Sequence, residues 1–330
     1  MSKRCLSDRF LTACKDGGLL SSMVARVKQD NTLAFEIRDN FVNIYYRGGN
    51  VSEIRELGSG GFQVKVASGY FTQGIQSPLD FPFKLQNEAH VSQLIQALPL
   101  LKDAMDRFLT RNPKEEREFQ QLVVRENNQS STSKGTDYLI CDMEYTHSDF
   151  RDMRFDMIAA HWPSSSYARK RVDAMELVIV EMKYGDGALR GDGMDAGGAG
   201  ILKHWEDLLK SEPHLDYLRE EMTLVLRQKA ELGLLTKSEM DRADRWPQIA
   251  FQTRPDQKTD WILLLANHDP QSEILLRELN ALAKRVQETP NAKFNVKVAF
   301  STFMGYGLYD QGLLSLEEFL LRYASQVYSA

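Results

Sequence analysis

Three acidic residues, Asp142, Asp156 and Glu181, stand inside short apolar segments of this chain, and Lys183 follows the last of them by two positions. The segments run from Tyr138 to Tyr145, from Arg154 to Ala160 and from Glu176 to Tyr184, and their apolar and β-branched content reads as strand. If the last two form a hairpin centred on the loop from Pro163 to Ala174, symmetric pairing sets Asp156 opposite Glu181 and Arg154 opposite Lys183. If the first two pair around Thr146 to Asp152, Asp142 falls opposite Asp156. Cross-strand partners on one face have Cβ atoms roughly 5 Å apart, so the three acids are expected to form a row. Like charges at that spacing repel, and a bound divalent cation relieves the repulsion.

Side chains alternate along a strand, so Leu177, Ile179, Glu181 and Lys183 share one face, which starts apolar and ends in a carboxylate and an ammonium. That combination suits hydrolysis of a phosphodiester. Asp156 and Glu181 would hold Mg²⁺, with Asp142 as a further ligand; Mg²⁺ typically takes one or two protein carboxylates, waters and substrate phosphate oxygens. Lys183 would orient the attacking water or offset charge building on the phosphate. The alternative is that Glu181 and Lys183 are solvated charges at a strand end. Glu144 shares a face with Asp142 and reads equally as an additional ligand or as the polar side of an ordinary strand. Arg169, Lys170 and Arg171 at the hairpin tip are expected to contact phosphate. The stretch from Gly185 to Gly200, rich in glycine, is either a lid over a phosphate backbone or a plain surface loop. Lys203 and His204 open the helix beyond it and reach phosphate only if that helix packs beside the third strand. The glycine-rich stretch has no P-loop pattern, and the histidines have no His-Glu-x-x-His spacing.

Asp156, a gap of 24 residues and then Glu181-Met-Lys183 resembles the PD-(D/E)XK nuclease superfamily pattern. The order helix, three strands, helix, strand resembles the core of that superfamily, over Lys114 to about Lys210. Phe155 stands before Asp156, where the pattern has proline. The resemblance implies a restriction-endonuclease-like mixed sheet flanked by helices, with Asp156 and Glu181 as metal ligands and Lys183 as the catalytic lysine. It implies Mg²⁺, with Mn²⁺ as a substitute, and DNA rather than RNA as the nucleic-acid partner. Members often add a glutamate from the first core helix, and Glu116 is the candidate, ahead of Glu115 and Glu118. The alternative for that helix is an exposed acidic first turn favoured by the dipole.

The elements that must position these residues are those of a mixed α/β (α+β) chain. Strands at Leu33 to Arg38, Phe41 to Arg47, Val51 to Arg55 and Phe62 to Ala67, with turns at Gly48-Gly49-Asn50 and Gly58 to Gly61, make a β-rich N-terminal module. Val91, Leu94, Ile95, Leu98, Leu101, Met105 and Phe108 recur at helical spacing, and Asn112-Pro113 breaks the pattern. The domain boundary is therefore expected near Arg111, giving 1–111 as one module and 112–330 as a nuclease-like domain with a C-terminal helical extension. Trp261 to Ala266 and Phe294 to Phe300 read as further strands, Ser272 to Val286 as a helix, and Ser315-x-x-Glu318 as a capping box opening the last helix.

At 330 residues with 42% hydrophobic residues the chain can bury a sizeable core. Three cysteines, Cys5, Cys14 and Cys141, lack Cys-x-x-Cys spacing and argue against a disulfide framework. The charged N-terminus and the absence of a long apolar run point to a cytoplasmic protein that does not enter a membrane. The net charge of −5 counts mildly against nucleic acid, yet Arg151, Arg154, Arg169, Lys170 and Arg171 place a basic rim beside the acids. The leading expectation is a metal-dependent DNA nuclease of bacterial restriction or anti-phage defence. The second is a catalytically silent nuclease-like subunit that binds within a larger complex, with a protein partner or a second copy of itself.

Overall fold

A computed structural model of the chain describes residues 4–70, 83–147, 150, 153–190, 200–237, 239–254, 256–269, 272–301 and 305–327. They form two compact units, Met1–Ser133 with Glu221–Gln248, and Lys134–Glu220 with Ile249–Ala330.

In the first unit, helices α1 (Asp8–Cys14) and α2 (Ser21–Gln29) precede five strands: β1 (Leu33–Ile37), β2 (Phe41–Tyr46), β3 (Gly49–Glu56), β4 (Phe62–Val66) and β5 (Lys84–Leu85). Sequential pairing gives an antiparallel meander in the order β1-β2-β3-β4-β5. The β2–β3 connection is the two residues Arg47 and Gly48, both with positive φ (48° and 71°), the turn that best matches strand twist. Helix α3 (Glu88–Arg111) buries Val91, Leu94, Leu98, Leu101 and Met105 in a core shared with Phe10, Met23, Ile37 and Ile44.

Helix α4 (Glu115–Asn128) belongs to this unit as well, so the boundary expected near Arg111 lies inside it. The reason is polar. Gln121 donates to the Thr32 carbonyl at 2.7 Å and accepts from the Gly48 amide at 2.6 Å, while Arg47 forks onto Glu118. A Cβ on Gly48 would sit 2.1 Å from the Arg117 carbonyl oxygen, so glycine is required there twice over.

The second unit holds strands β6 (Tyr138–Thr146), β7 (Arg154–His161) and β8 (Glu176–Tyr184), with the short helix α5 (Ser166–Arg169) in the β7–β8 connection. Then come α6 (Gly187–Arg190), α7 (Ile201–Ser211) and α8 (Leu215–Glu231), the last of which ends in the first unit. Strand β9 (Thr259–Ala266), helix α9 (Glu273–Glu288), strand β10 (Phe294–Ser301), the short β11 (Leu314–Ser315) and helix α10 (Leu316–Val327) complete it.

Its sheet runs β11-β10-β9-β8-β7-β6. β6, β7 and β8 pair antiparallel, and β8, β9 and β10 parallel. The continuous apolar runs Leu177 to Val180 and Trp261 to Ala266 are what interior strands covered on both faces require. The expected capping box is present: Ser315 Oγ accepts the Glu318 amide and Glu318 accepts the Ser315 amide. No helix among the described residues is long and apolar enough to cross a membrane.

At the hairpin end of β7, His161 lies between two carboxylates, with Nδ1 3.4 Å from Glu176 and Nε2 3.0 Å from Asp310. Burial alone would lower its pKa, but the two carboxylates outweigh burial and raise it. A histidine whose folded pKa exceeds its unfolded value of about 6.5 stabilises fully below that value and progressively less as pH rises through the folded pKa. The unfolding free energy from urea titration is therefore expected to fall from about pH 6 to pH 8, by on the order of 0.2–1 kcal/mol because Asp310 is nearly half exposed. His161→Gln should flatten that slope; an unchanged slope would refute the assignment.

Candidate active site

β8 is the strand that builds the site. Its neighbours β7 and β9 cover both edges, and Leu177, Val178, Ile179, Val180 and Met182 are all buried. Glu181 and Lys183 continue the strand and are enclosed with it, at 3% and 4% exposure. Charged side chains are almost never so buried unless paired. Here the Lys183 ammonium lies 2.5 Å from Glu181 Oε1, and His204 Nε2 lies 3.1 Å from the same oxygen.

His204 arrives there because α7 is anchored on the sheet by its neighbour Trp205, whose ring lies 5.8 Å from Trp261 and 6.4 Å from Phe294. The helix begins at Gly200, where a Cβ would lie 2.6 Å from the Arg190 carbonyl oxygen. The condition set for Lys203 and His204, that this helix pack beside β8, holds for His204. Lys203 is exposed and pairs with Asp207 one turn along.

The β7–β8 pairs run from His161↔Glu176 to Met157↔Val180, in the expected register, and one further step sets Asp156 beside Glu181. Asp156 Oδ2 accepts the Met182 amide at 2.8 Å, which ties this carboxylate to the backbone between Glu181 and Lys183. Asp156 keeps some surface open, yet its carboxyl is closely surrounded by protein. Burial first, then the charges of Glu181 and Glu144, hold its pKa well above the usual carboxylate range, outweighing Lys183 and the Met182 amide.

Strand β6 departs from the expected register. Ile140 pairs with Ala159 and Asp142 with Ile158, so Cys141 is an extra residue in the ladder. Asp142 is thus not opposite Asp156; it is fully buried, with Oδ1 accepting the Met143 amide at 3.0 Å. Glu144 takes the level of Asp156, between the pairs Met143↔Met157 and Tyr145↔Phe155. It does so at φ +52°, a left-handed backbone that non-glycine residues adopt mainly under local constraint.

The expected phosphate contacts at the hairpin tip fall away from this group. Arg169 is buried, donates to the Thr136 carbonyl and stacks 4.4 Å over the Trp162 ring, and burial draws its pKa down to about 10. Lys170 and Arg171 are exposed, but the hairpin tip lies beyond His161, at the opposite end of the strands from Asp156, about 17 Å along β7 at the strand rise. Glu116 lies on α4 in the first unit. Most of the glycine-rich stretch, 191–199, lies outside the described residues.

One supporting residue has no counterpart in the sequence reading. His268, after β9, has its side chain fully buried, with Nδ1 2.8 Å from Asp186 and Nε2 3.1 Å from the Lys183 carbonyl. Ser272, the cap of α9, also bonds Asp186. These contacts fix the end of β8 that carries Lys183. They join residues more than 80 positions apart, with no local motif to announce them.

Among the described residues no three His, Cys, Asp or Glu side chains are grouped as a ready-made metal cage. Asp156 and Glu181, two carboxylates whose proximity disfavours charge on Asp156, fit the lesser demand of Mg²⁺, which keeps much of its water shell. No family model, curated protein or solved structure matches the chain.

Proposed function

We propose that the chain is a divalent-metal-dependent nuclease that hydrolyses phosphodiester bonds of DNA on a PD-(D/E)XK-type, restriction-endonuclease-like core. The observation that carries the reading is Lys183 held 2.5 Å from Glu181 on the end of a central strand, with Asp156 tied to the backbone between them. Asp156 and Glu181 would hold Mg²⁺ or Mn²⁺, which when bound polarises the phosphate and lowers the pKa of its water. Lys183, kept against Glu181, presents its ammonium to the same face and offsets charge gathering on the phosphate. His204, at 3.1 Å from Glu181, is placed to orient that carboxylate or to take up a proton. The N-terminal module and a cytoplasmic setting in defence against foreign DNA belong to the same proposal, by analogy of fold.

A silent, nuclease-like subunit is the second reading. One observation favours it: Lys183 and His204 both already contact Glu181. Cleavage of supercoiled plasmid with Mg²⁺ or Mn²⁺ separates the two. Glu181→Ala and Lys183→Ala should each reduce the rate by at least about 100-fold. Undiminished cleavage by both variants would overturn the site, and a wild type inert on DNA and RNA with either metal would favour the silent subunit.

A further inference from the structure

We infer that the substrate presents an unpaired base beside the scissile phosphate, and that this base stacks on a column of rings next to the carboxylates. The inference rests on the nuclease reading and narrows its substrate class to single-stranded or locally opened nucleic acid.

The column is built from residues that the proposed chemistry does not use. Phe150 lies between two imidazoles, with ring centroids 4.6 Å from His147 and 3.8 Å from His214 and planes inclined by 28° and 24°. Tyr217 braces the column edge-on, at 5.2 Å from His147 and 5.9 Å from Phe150, with its hydroxyl 3.2 Å from His147 Nε2. All four side chains are partly exposed. A stack that served only to bury surface would be expected to use apolar rings and to be closed from water. Two imidazoles with open surface are instead what reads a nucleobase face, because every base offers a π surface whatever its sequence.

The position of the column joins it to the site. His147 follows β6 directly and donates its amide to the Met153 carbonyl, one residue before β7. Glu144, level with Asp156, is three residues away, so the chain holds the start of the column within about 11 Å of it. A nucleotide flanking the scissile phosphate can span that gap. Arg154, exposed at the start of β7, stands between the two and can meet the intervening phosphate. A base in a closed duplex has both faces covered by its neighbours, so only an unpaired or extruded base can use the column.

The test uses the full chain carrying Glu181→Gln, which leaves bound substrate intact, and a DNA oligonucleotide containing 2-aminopurine, either single-stranded or annealed to its complement. Binding is read by anisotropy and stacking by 2-aminopurine quenching. The single strand should bind more tightly than the duplex and be quenched. Adding His147→Leu, which keeps apolar volume and removes the ring that ends the column nearest the carboxylates, should weaken single-strand binding by about 5- to 150-fold, the range for one base-stacking contact. Quenching should be lost while duplex binding stays unchanged, and His147→Phe should restore single-strand binding and quenching. Tighter binding of duplex, or a folded His147→Leu protein that binds and quenches the single strand like its parent, would overturn the stacking inference alone. A parent that binds neither form would overturn the nuclease reading and the inference with it.

Discussion

An Asp156→Asn variant is expected to lose at least about 100-fold in metal-dependent cleavage and yet, without metal at pH 8, to unfold at a higher temperature than the parent. The two effects share a cause. Asp156 is surrounded by protein and faces Glu181 and Glu144, which push its pKa up despite Lys183 and the Met182 amide. The folded protein therefore holds a proton that the unfolded chain releases at about pH 4. Stability falls as pH rises from there through the raised pKa, and the loss is complete above it. Asparagine is neutral at every pH and can still accept the Met182 amide through its side-chain oxygen, so the variant escapes the loss. Each kcal/mol of repulsion relieved should raise Tm by about 2–4 °C in a domain of this size. Calorimetry at pH 4 and pH 8 in chelator checks the sign: the gap between variant and parent should open at the higher pH. Mn²⁺ should then raise the Tm of the parent, as any ligand that binds only the folded state does, and leave the variant unmoved. A variant less stable than the parent at pH 8 would show that Asp156 is not repelled, and one equally responsive to Mn²⁺ would show that it is not a ligand.

Lys229→Met is expected to destabilise the first unit by about 3–5 kcal/mol, the usual penalty for stripping one partner from a buried ion pair. Lys229 Nζ lies 2.7 Å from Glu36 Oε2, and the two side chains are 4% and 2% exposed. Methionine preserves most of the lysine stem, so little of the loss is packing. What remains is the Glu36 carboxylate, out of water and without the Lys229 ammonium. Folded domains hold a margin of only about 5–15 kcal/mol, so the change should be plain in urea unfolding. Glu36→Gln combined with Lys229→Met leaves no charge at the position and should recover most of the loss. A single variant within about 0.5 kcal/mol of the parent, the scatter of ordinary surface substitutions, would mean that the pair is not buried as described.

The hairpin of β7 and β8 was legible in the sequence because its loop is flanked by two strands of clear apolar character, and symmetric pairing across it set Asp156 beside Glu181. The neighbouring hairpin was not. The extra residue at Cys141 and the left-handed Glu144 leave no mark on the apolar pattern, since Leu139, Ile140, Cys141 and Met143 are all buried. Arg169 was read as a phosphate contact because a basic run at a loop tip is usually solvated. Its burial depends on Trp162 and on the Thr136 carbonyl, which only the folded chain brings to it. The allegiance of α4 to the first unit was hidden for a similar reason, since the Gln121 amide carries it and apolar periodicity does not register amides. Element types survived these errors because long apolar runs and turn residues decide them locally. Register and long-range polar contacts did not, because single residues far apart in the chain decide those.

The extra residue in β6 makes the composition of the site a matter of counting as much as of chemistry. Were the strand to run flush through Cys141, Met143 rather than Glu144 would stand level with Asp156, and a thioether would replace a carboxylate. One codon lost at Cys141 would straighten the strand and still leave Glu144 level with Asp156, so it is the match between strand length and pairing, and neither alone, that puts a carboxylate there.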